Sequence, residues 1–347
     1  MFSFHSHSGQ FCMHAKGTLE QVVNSAVARG FTHYGLSEHM PRYQPDQLYP
    51  EESHLTVKDL EQMYDRFLVE ASRLQTKYSS QICLLVGMET EYFGPASIDY
   101  VRKLRQDRQD MVSSSSPAKL LPRVQYIVGS LHHVRGIPLD FSTELYLKAL
   151  EMVGEGSWEQ LFKVYFDAQF EMLQGLQPEV VGHLDLVRIF FGAIPQCSHH
   201  QHDSQPGTLP PEAAANVLTD ELWSLVRRNI DYVISYGGLF ELNSRAWKKG
   251  LADAYPQRDI LQYIIEKEGR ITLSDDSHGP DDVGMFYDPE LKRYLEQMKI
   301  EKVFYLVPAS LDPKPAHPTQ ARKETMSFQH VVVQAMDLAE LRFFSKE

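Results

Sequence analysis

Short apolar or β-branched runs recur along the chain, each bounded by polar residues or glycine and separated by stretches long enough for a helix. They are Phe2 to His5, Thr32 to Leu36, Ile82 to Met88, Val124 to Gly129, Val180 to Gly182, Gly238 to Leu242 and Arg270 to Leu273. An eighth run, Lys302 to Val307, either closes the same sheet or lies outside it. Between the runs the apolar spacing changes to that of helices. Thr18 to Arg29 has Thr18 as N-cap, apolar Leu19, Val22, Val23 and Ala26, and Gly30 as a stop. Helical spacing also marks Val57 to Gln75, Ser157 to Leu173, Thr219 to Ile230, Asp259 to Lys267, Pro289 to Met298 and, in the tail, Gln329 to Phe344. Alternating β and α units predict an α/β fold with a parallel sheet, and the strand number points to a barrel. Ser113 to Ser116 before Pro117 reads as a loop, and the polar stretch Cys197 to Pro211 as a surface insertion. The expected organisation is one barrel domain over 1–308, with the insertion at 197–211, and a C-terminal extension over 309–347 docked on it.

Composition narrows the function. With 43% hydrophobic and 23% charged residues in 347, the chain reads as an ordinary globular protein. A net charge of −12 argues against a nucleic-acid footprint, which needs a basic face, and favours small substrates. Three cysteines, Cys12, Cys83 and Cys197, without CxxC spacing suggest neither a disulfide framework nor a thiolate zinc site. Cys12 reads as a small buried residue. No run is long and apolar enough to span a bilayer, and the first twenty residues have neither a basic nor an apolar leader region. The expectation is therefore a cytoplasmic protein without a membrane partner.

In parallel β/α barrels the chemistry gathers at the carboxyl ends of the strands. Here those ends carry His5-Ser6-His7, Ser37-Glu38-His39, Glu89, His132, His183-Leu184-Asp185, Glu241-Leu242-Asn243 and Asp275-Asp276-Ser277-His278. Alternate residues of a strand face the same side, so His5 and His7 can reach one cation. Imidazole and carboxylate donors suit zinc, iron or manganese, and a carboxylate can bridge two ions. A lone histidine is more often a packing or surface residue, and it is the joint pattern that carries the reading. The His199-His200-Gln201-His202 cluster sits in the polar insertion and reads as a solvated loop.

Taken in order and spacing, these residues resemble the PHP (polymerase and histidinol phosphatase) superfamily and, within it, the fungal-type histidinol-phosphate phosphatases. The resemblance runs from His5 to about Gly284 and adds His14 and the segment Gly87-Met88-Glu89-Thr90-Glu91-Tyr92 to its carriers. It implies a distorted (β/α)7 barrel with three divalent ions, zinc, iron or manganese, at the carboxyl ends of its strands. The first ion would take His5, His7, Glu89 and Asp276; Glu89 would bridge to a second held by His132 and His183; the third would take His14, His39 and His278. Asp276 is preferred to Asp275 because it forms the Asp-x-His unit. Glu89, Asp276 and His183 would be the catalytic residues of a phosphate-monoester hydrolase, most simply a histidinol-phosphate phosphatase in which water activated by the ions attacks phosphorus in line. Arg42 and Arg245 are expected to hold the phosphate, since a guanidinium matches it as a fork. Glu91 is expected at the substrate's cationic end, with Asp185 and then Glu241 as further acids; Asp185 could equally bond a ligand histidine. A tyrosine phosphatase or nuclease of the same superfamily, and a non-catalytic metal-binding protein, are the alternatives.

Overall fold

The structure, a computed structural model, describes residues 1–113, 124–194, 218–309, 326–328 and 330–342. The expected loop at Ser113 to Ser116 falls, beyond Ser113, outside the described residues, as does the 197–211 insertion with its histidine cluster. Seven parallel strands pair in chain order: β1 (Phe2–Ser3), β2 (His33–Leu36), β3 (Cys83–Glu89), β4 (Tyr126–Gly129), β5 (Val180–Val181), β6 (Leu239–Asn243) and β7 (Arg270–Ser274). The strands are short but buried, as expected where helices cover a parallel sheet. Beyond β7 the chain pairs once more: Ser277↔Ser6 and His278↔His7 form a parallel two-residue ladder between the extensions of β7 and β1. The distorted (β/α)7 barrel is thus closed at its carboxyl end by residues that carry candidate ligands.

Tyr126 fills the barrel interior. Its hydroxyl donates to the Phe4 carbonyl at 2.8 Å, and a Cβ at Gly35 or Gly87 would overlap its hydroxyl or its ring. These two glycines sit in strands because nothing larger fits opposite the tyrosine.

The helices begin and end on local chemistry. Helix α1 (Leu19–Ala28) starts with the reciprocal Thr18–Gln21 capping box and buries Leu19, Val22, Val23 and Ala26. Helix α2 (Val57–Tyr78) is capped by Thr56, and α3 (Pro95–Ser113) and α4 (Thr143–Met152) follow without having been predicted. Helices α5 (Trp158–Leu176) and α6 (Asp220–Tyr236) run past their expected ends to residues in left-handed conformation, Gln177 and Gly237. After the short α7 (Arg245–Lys248) come α8 (Arg258–Glu266) and α9 (Lys292–Gln297); the predicted start of the last at Pro289 is displaced by non-helical Asp288.

Two expectations for the C-terminal third resolve differently. Lys302 to Val307 lies outside the barrel, in β8 (Lys302–Pro308) of an antiparallel sheet with β9 (Met326–Ser327) and β10 (Val331–Asp337), ordered β8-β10-β9. The helix predicted over Gln329 to Phe344 is corrected: its described part is β10 and a short turn at Leu338–Glu340. Consecutive Val331, Val332 and Val333 are all buried, which suits a β-branched strand between two partners better than one face of a helix. Tyr305 stacks on Phe2 at 5.4 Å and Phe304 lies under Arg270, so this sheet covers the amino ends of the barrel strands, opposite the ligands.

Candidate active site

Glu89, the last residue of β3, is almost fully buried, and five imidazoles surround its carboxylate. His5 Nε2, His132 Nε2 and His183 Nε2 lie 3.0, 3.2 and 3.1 Å from Oε1. His7 Nε2 and His39 Nδ1 lie 3.2 and 3.0 Å from Oε2. These residues come from the ends of five different strands, and each extended segment delivers its side chain to the same mouth. Asp276 joins from beyond β7, with Oδ1 3.7 Å from both His5 Nε2 and His7 Nε2 and 3.5 Å from His278 Nδ1. Its φ of 44° is left-handed, a strained conformation that Asp tolerates better than most residues. This kink separates two adjacent acids. Asp275 turns into the core, accepting from Ser3 Oγ at 2.7 Å and the Gly284 amide at 2.8 Å, while Asp276 faces the histidines.

The third group lies beside the first. His14 Nε2 is 3.2 Å from Cys12 Sγ, and potential ligand atoms of Cys12, His14, His39 and His278 all fall within 4.8 Å of one another. The His14 side chain is 36% exposed, so this group forms the rim of the site, whereas His5 and His7 form its floor.

Electrostatics favour a cation here. Burial alone would raise the Glu89 pKa, but His5, His132 and His39 outweigh it and hold the carboxyl well below its usual range. In return, burial would lower His5, His39 and His132, but the surrounding carboxylates push all three well up. Four buried carboxylates, Glu89, Glu91, Glu241 and Asp276, thus need positive charge. Buried His5 Nε2, His7 Nε2, His39 Nε2, Glu89 Oε2 and Asp276 Oδ1 make no hydrogen bond despite close polar neighbours. Unpartnered donors converging from both imidazole and carboxylate fit divalent cations.

A cavity of about 330 Å³ opens over this centre, lined by His14, His39, Glu89, His132, His183, Asp276 and His278, and by residues beyond the ligands. Arg245 is there, its Nη1 donating to the Asp276 carbonyl at 3.0 Å and lying 3.2 Å from Asp282. Tyr49, Glu51, Asp140, Phe141, Lys249 and Tyr255 complete the polar and aromatic wall.

Arg42 and Glu91, expected at the substrate, do not line this cavity. Arg42 is buried, forked onto Glu52 with Nε at 3.2 Å, and also donates to the Met40 carbonyl. Glu91 is fully buried, 2.9 Å from His39 Nδ1 and 3.3 Å from His132 Nδ1. Asp185 is ion-paired with Arg188 at 2.6 Å and accepts the Gln257 amide through Oδ2, and it does not line this cavity. Glu241 sits 2.7 Å from His5 Nδ1 and accepts the His183 amide at 2.7 Å. Glu51 and Lys249 line the cavity without having been singled out in the sequence; Lys249, four residues after Arg245, had a weak signal, and Glu51 had none. Cys12, read as a small buried residue, is buried and lies beside His14.

A parallel β/α barrel with a histidine–carboxylate metal centre at its carboxyl end is the class that this fold and site define. The chain belongs to the PHP domain family, whose model matches residues 3–245. It is 42% identical over 300 residues to a "probable histidinol-phosphatase" of Schizosaccharomyces pombe, covering 86% of this chain and 87% of that one. The histidinol-phosphatase of Saccharomyces cerevisiae is 32% identical over 319 residues, covering 88% and 91%. A solved chain from Listeria monocytogenes superposes with a TM-score of 0.65 at 20% identity, covering 83% of this chain and 98% of that one. The histidinol phosphate phosphatase of Lactococcus lactis, solved with zinc, L-histidinol and phosphate, superposes with a TM-score of 0.53 at 17% identity, covering 86% and 93%. Both support the fold.

Proposed function

We propose that this chain is a metal-dependent phosphate-monoester hydrolase that converts L-histidinol phosphate and water to L-histidinol and phosphate in histidine biosynthesis. The observation that carries this reading is the buried Glu89 carboxylate between five imidazoles at the floor of a small-molecule cavity. Fungal relatives bearing that activity's name, similar over nearly the whole chain, support the substrate. Three divalent ions would be held: one by His5, His7, Glu89 and Asp276, one by Glu89, His132 and His183, and one at His14, His39 and His278. Zinc, iron and manganese all suit these donors. When bound, such ions supply positive charge to the phosphoryl oxygens and lower the pKa of water.

The chain's own groups do the positioning. Arg245 and Lys249 line the cavity as cations for the phosphate, and Arg245 is oriented by the Asp276 carbonyl. Asp140, whose Oδ1 has no hydrogen-bond partner, and Glu51 offer carboxylates to the substrate's amine. Tyr49 and Phe141, stacked at 5.9 Å, offer a flat apolar surface to its imidazole. Arg42 and Glu91 act one step back, as positioning residues for His39 and His132. Cytoplasmic location belongs to the same proposal; Cys12 and Cys83 are unpaired, and among the described residues no helix is long and apolar enough to cross a membrane.

The test is phosphate release by purified, metal-loaded protein from L-histidinol phosphate, phosphotyrosine and single-stranded DNA. Preference for the first is expected; preference for either other substrate would select the tyrosine-phosphatase or nuclease alternative, and inertness towards all three would favour a binding protein. Asp140→Asn is expected to raise KM for L-histidinol phosphate by about 10-fold or more, the worth of one charge-assisted hydrogen bond, without affecting phenyl phosphate, which has no amine.

A further inference from the structure

We propose that the Cys12 thiolate is a fourth ligand of the third metal position, together with His14, His39 and His278. The inference rests on the metal-centre reading above and adds to it a sulfur donor.

The loop that carries Cys12 is built to hold it there. Between the Ser6–His7 ladder segment and α1, the Cys12 amide donates to the Ser8 carbonyl at 2.9 Å and the Ala15 amide to the Cys12 carbonyl at 3.2 Å. Gly9 and Lys16 close the loop at 3.2 Å, and the Lys16 amide donates to the His278 carbonyl at 2.9 Å. Cys12 and His14 are thus turned to one side and tied to the strand end that bears His278. Cys12 is 6% exposed.

Two independent observations make this more than a buried cysteine. Ligand atoms of all four residues lie within 4.8 Å of one another, with Sγ 3.2 Å from His14 Nε2. A tetrahedral zinc, with Zn–S near 2.3 Å and Zn–N near 2.0–2.1 Å, sets sulfur and nitrogen ligands about 3.5 Å apart, close to that separation. The His39 side chain is nine-tenths buried and neither ring nitrogen makes a hydrogen bond; Nδ1 lies 3.0 and 2.9 Å from the Glu89 and Glu91 carboxylates, while Nε2 has no such acid beside it. A thiol that merely donated to His14 would leave that nitrogen orphaned; an ion among the four satisfies both. Binding would release the thiol proton to solvent. The consequence is asymmetry within the centre. The first and second positions, each with a carboxylate, accept hard and borderline ions alike, whereas three imidazoles and a thiolate favour zinc over manganese.

Cobalt(II) substitution reads the bond directly. Full-length protein is stripped with chelator and reloaded with cobalt, and its near-ultraviolet spectrum and metal content are measured for wild type, Cys12→Ser and the double variant Cys83→Ser/Cys197→Ser. The expected result is a sulfur-to-cobalt charge-transfer band in wild type and in the double variant. In Cys12→Ser the band is lost and bound metal falls from three ions to two. Should Cys12→Ser fail to fold, the double variant still assigns the band, because Cys12 is then the sole cysteine; metal should also protect Cys12 from iodoacetamide in the wild type. Full cobalt uptake without the band, or a band that survives Cys12→Ser, overturns the proposal while leaving the metal centre standing. No cobalt uptake overturns both. A band in a protein that hydrolyses no phosphate ester would remove the proposed reaction and retain the ligand.

Discussion

Four of the candidate ligand histidines present one ring nitrogen to the centre and the other to a carboxylate. His5 Nδ1 lies 2.7 Å from Glu241, His14 Nδ1 2.8 Å from Glu51, His132 Nδ1 3.3 Å from Glu91 and His7 Nδ1 3.5 Å from Glu38. The hydrogen bonds at His5 and His14 fix the ring's orientation and make the inward Nε2 a better donor, while the longer contacts of His132 and His7 act through charge alone. Glu241 is the most connected of the four: it also accepts the His183 amide at 2.7 Å and Asn243 Nδ2 at 3.1 Å, and Asn243 in turn bonds Asp276. One carboxylate thereby orients ligands from three strand ends. Glu241→Gln keeps the volume but replaces one acceptor oxygen with a donor, so it cannot satisfy all three bonds. A loss of about 10- to 100-fold in metal affinity is expected, in the range found for partners of metal ligands. Competition against a chromogenic chelator measures it. Unchanged metal affinity with a raised KM would return Glu241 to the role of a substrate acid.

Individual strands and helices hold their places through contacts that local sequence shows only in part. Gly35 in β2 packs against the Tyr126 hydroxyl, which is committed to the Phe4 carbonyl, so Gly35→Ala forces the tyrosine to move or break that bond. The expected cost is about 1–3 kcal/mol, read as a lower denaturation midpoint with an unchanged slope. In α8, burial pushes the Asp259 carboxyl up from 3.8 to about 6, against opposing hydrogen bonds from Gln257 and the Ile260 amide. A carboxyl that binds its proton more tightly when folded destabilises the fold as pH rises from about 4 to 6, and fully so above that. Asp259→Asn is therefore expected to raise the Tm at pH 7 and to lose that advantage near pH 4; an equal gain at both would assign the effect to something other than charge. Capping and burial made α1 readable from Thr18 to Gly30, and buried runs located every barrel strand. The strand-end histidines were legible because period-2 geometry delivers them to one mouth. What local pattern could not show was which neighbour each residue would take: β10 needs β8, some thirty residues earlier, Arg42 is ion-paired with Glu52 ten residues on, and Asp185 with Arg188 three residues on. Proximity of Arg42 to His39 in sequence did not bring it to the cavity wall, because its guanidinium turns to Glu52. Cys12 is the buried residue its sequence context suggested, and only the fold of its loop shows that it sits beside His14.

Across the whole molecule, the barrel's closure and its chemistry share the same residues. Strands β1 to β7 form a continuous ladder, but the joint between the first and last is the two-residue pairing of Ser6–His7 with Ser277–His278. His7 and His278 stand on opposite sides of that joint, with ring centroids 4.5 Å apart and Asp276 Oδ1 within 3.7 Å of both. Ions gripped by His7, Asp276 and His278 would therefore clamp the seam, whereas their loss would leave buried imidazoles and carboxylates held together by proton sharing alone. Metal that binds only the folded chain stabilises it by mass action, by about 4 kcal/mol per site at a thousandfold excess over Kd. Chelation is thus expected to lower Tm. The loss should also be local before it is global. Amide hydrogen exchange of chelated against loaded protein should accelerate at Lys16, whose amide is held by the His278 carbonyl, and at Ser277 and His278. The Leu84 to Val86 amides of β3, buried and paired with β2 away from the seam, should be unchanged under the same native conditions. Uniform acceleration across both regions would mean that the ions support global stability alone. Unaltered exchange at the seam, with metal shown to be removed, would mean that the backbone closes the barrel without them.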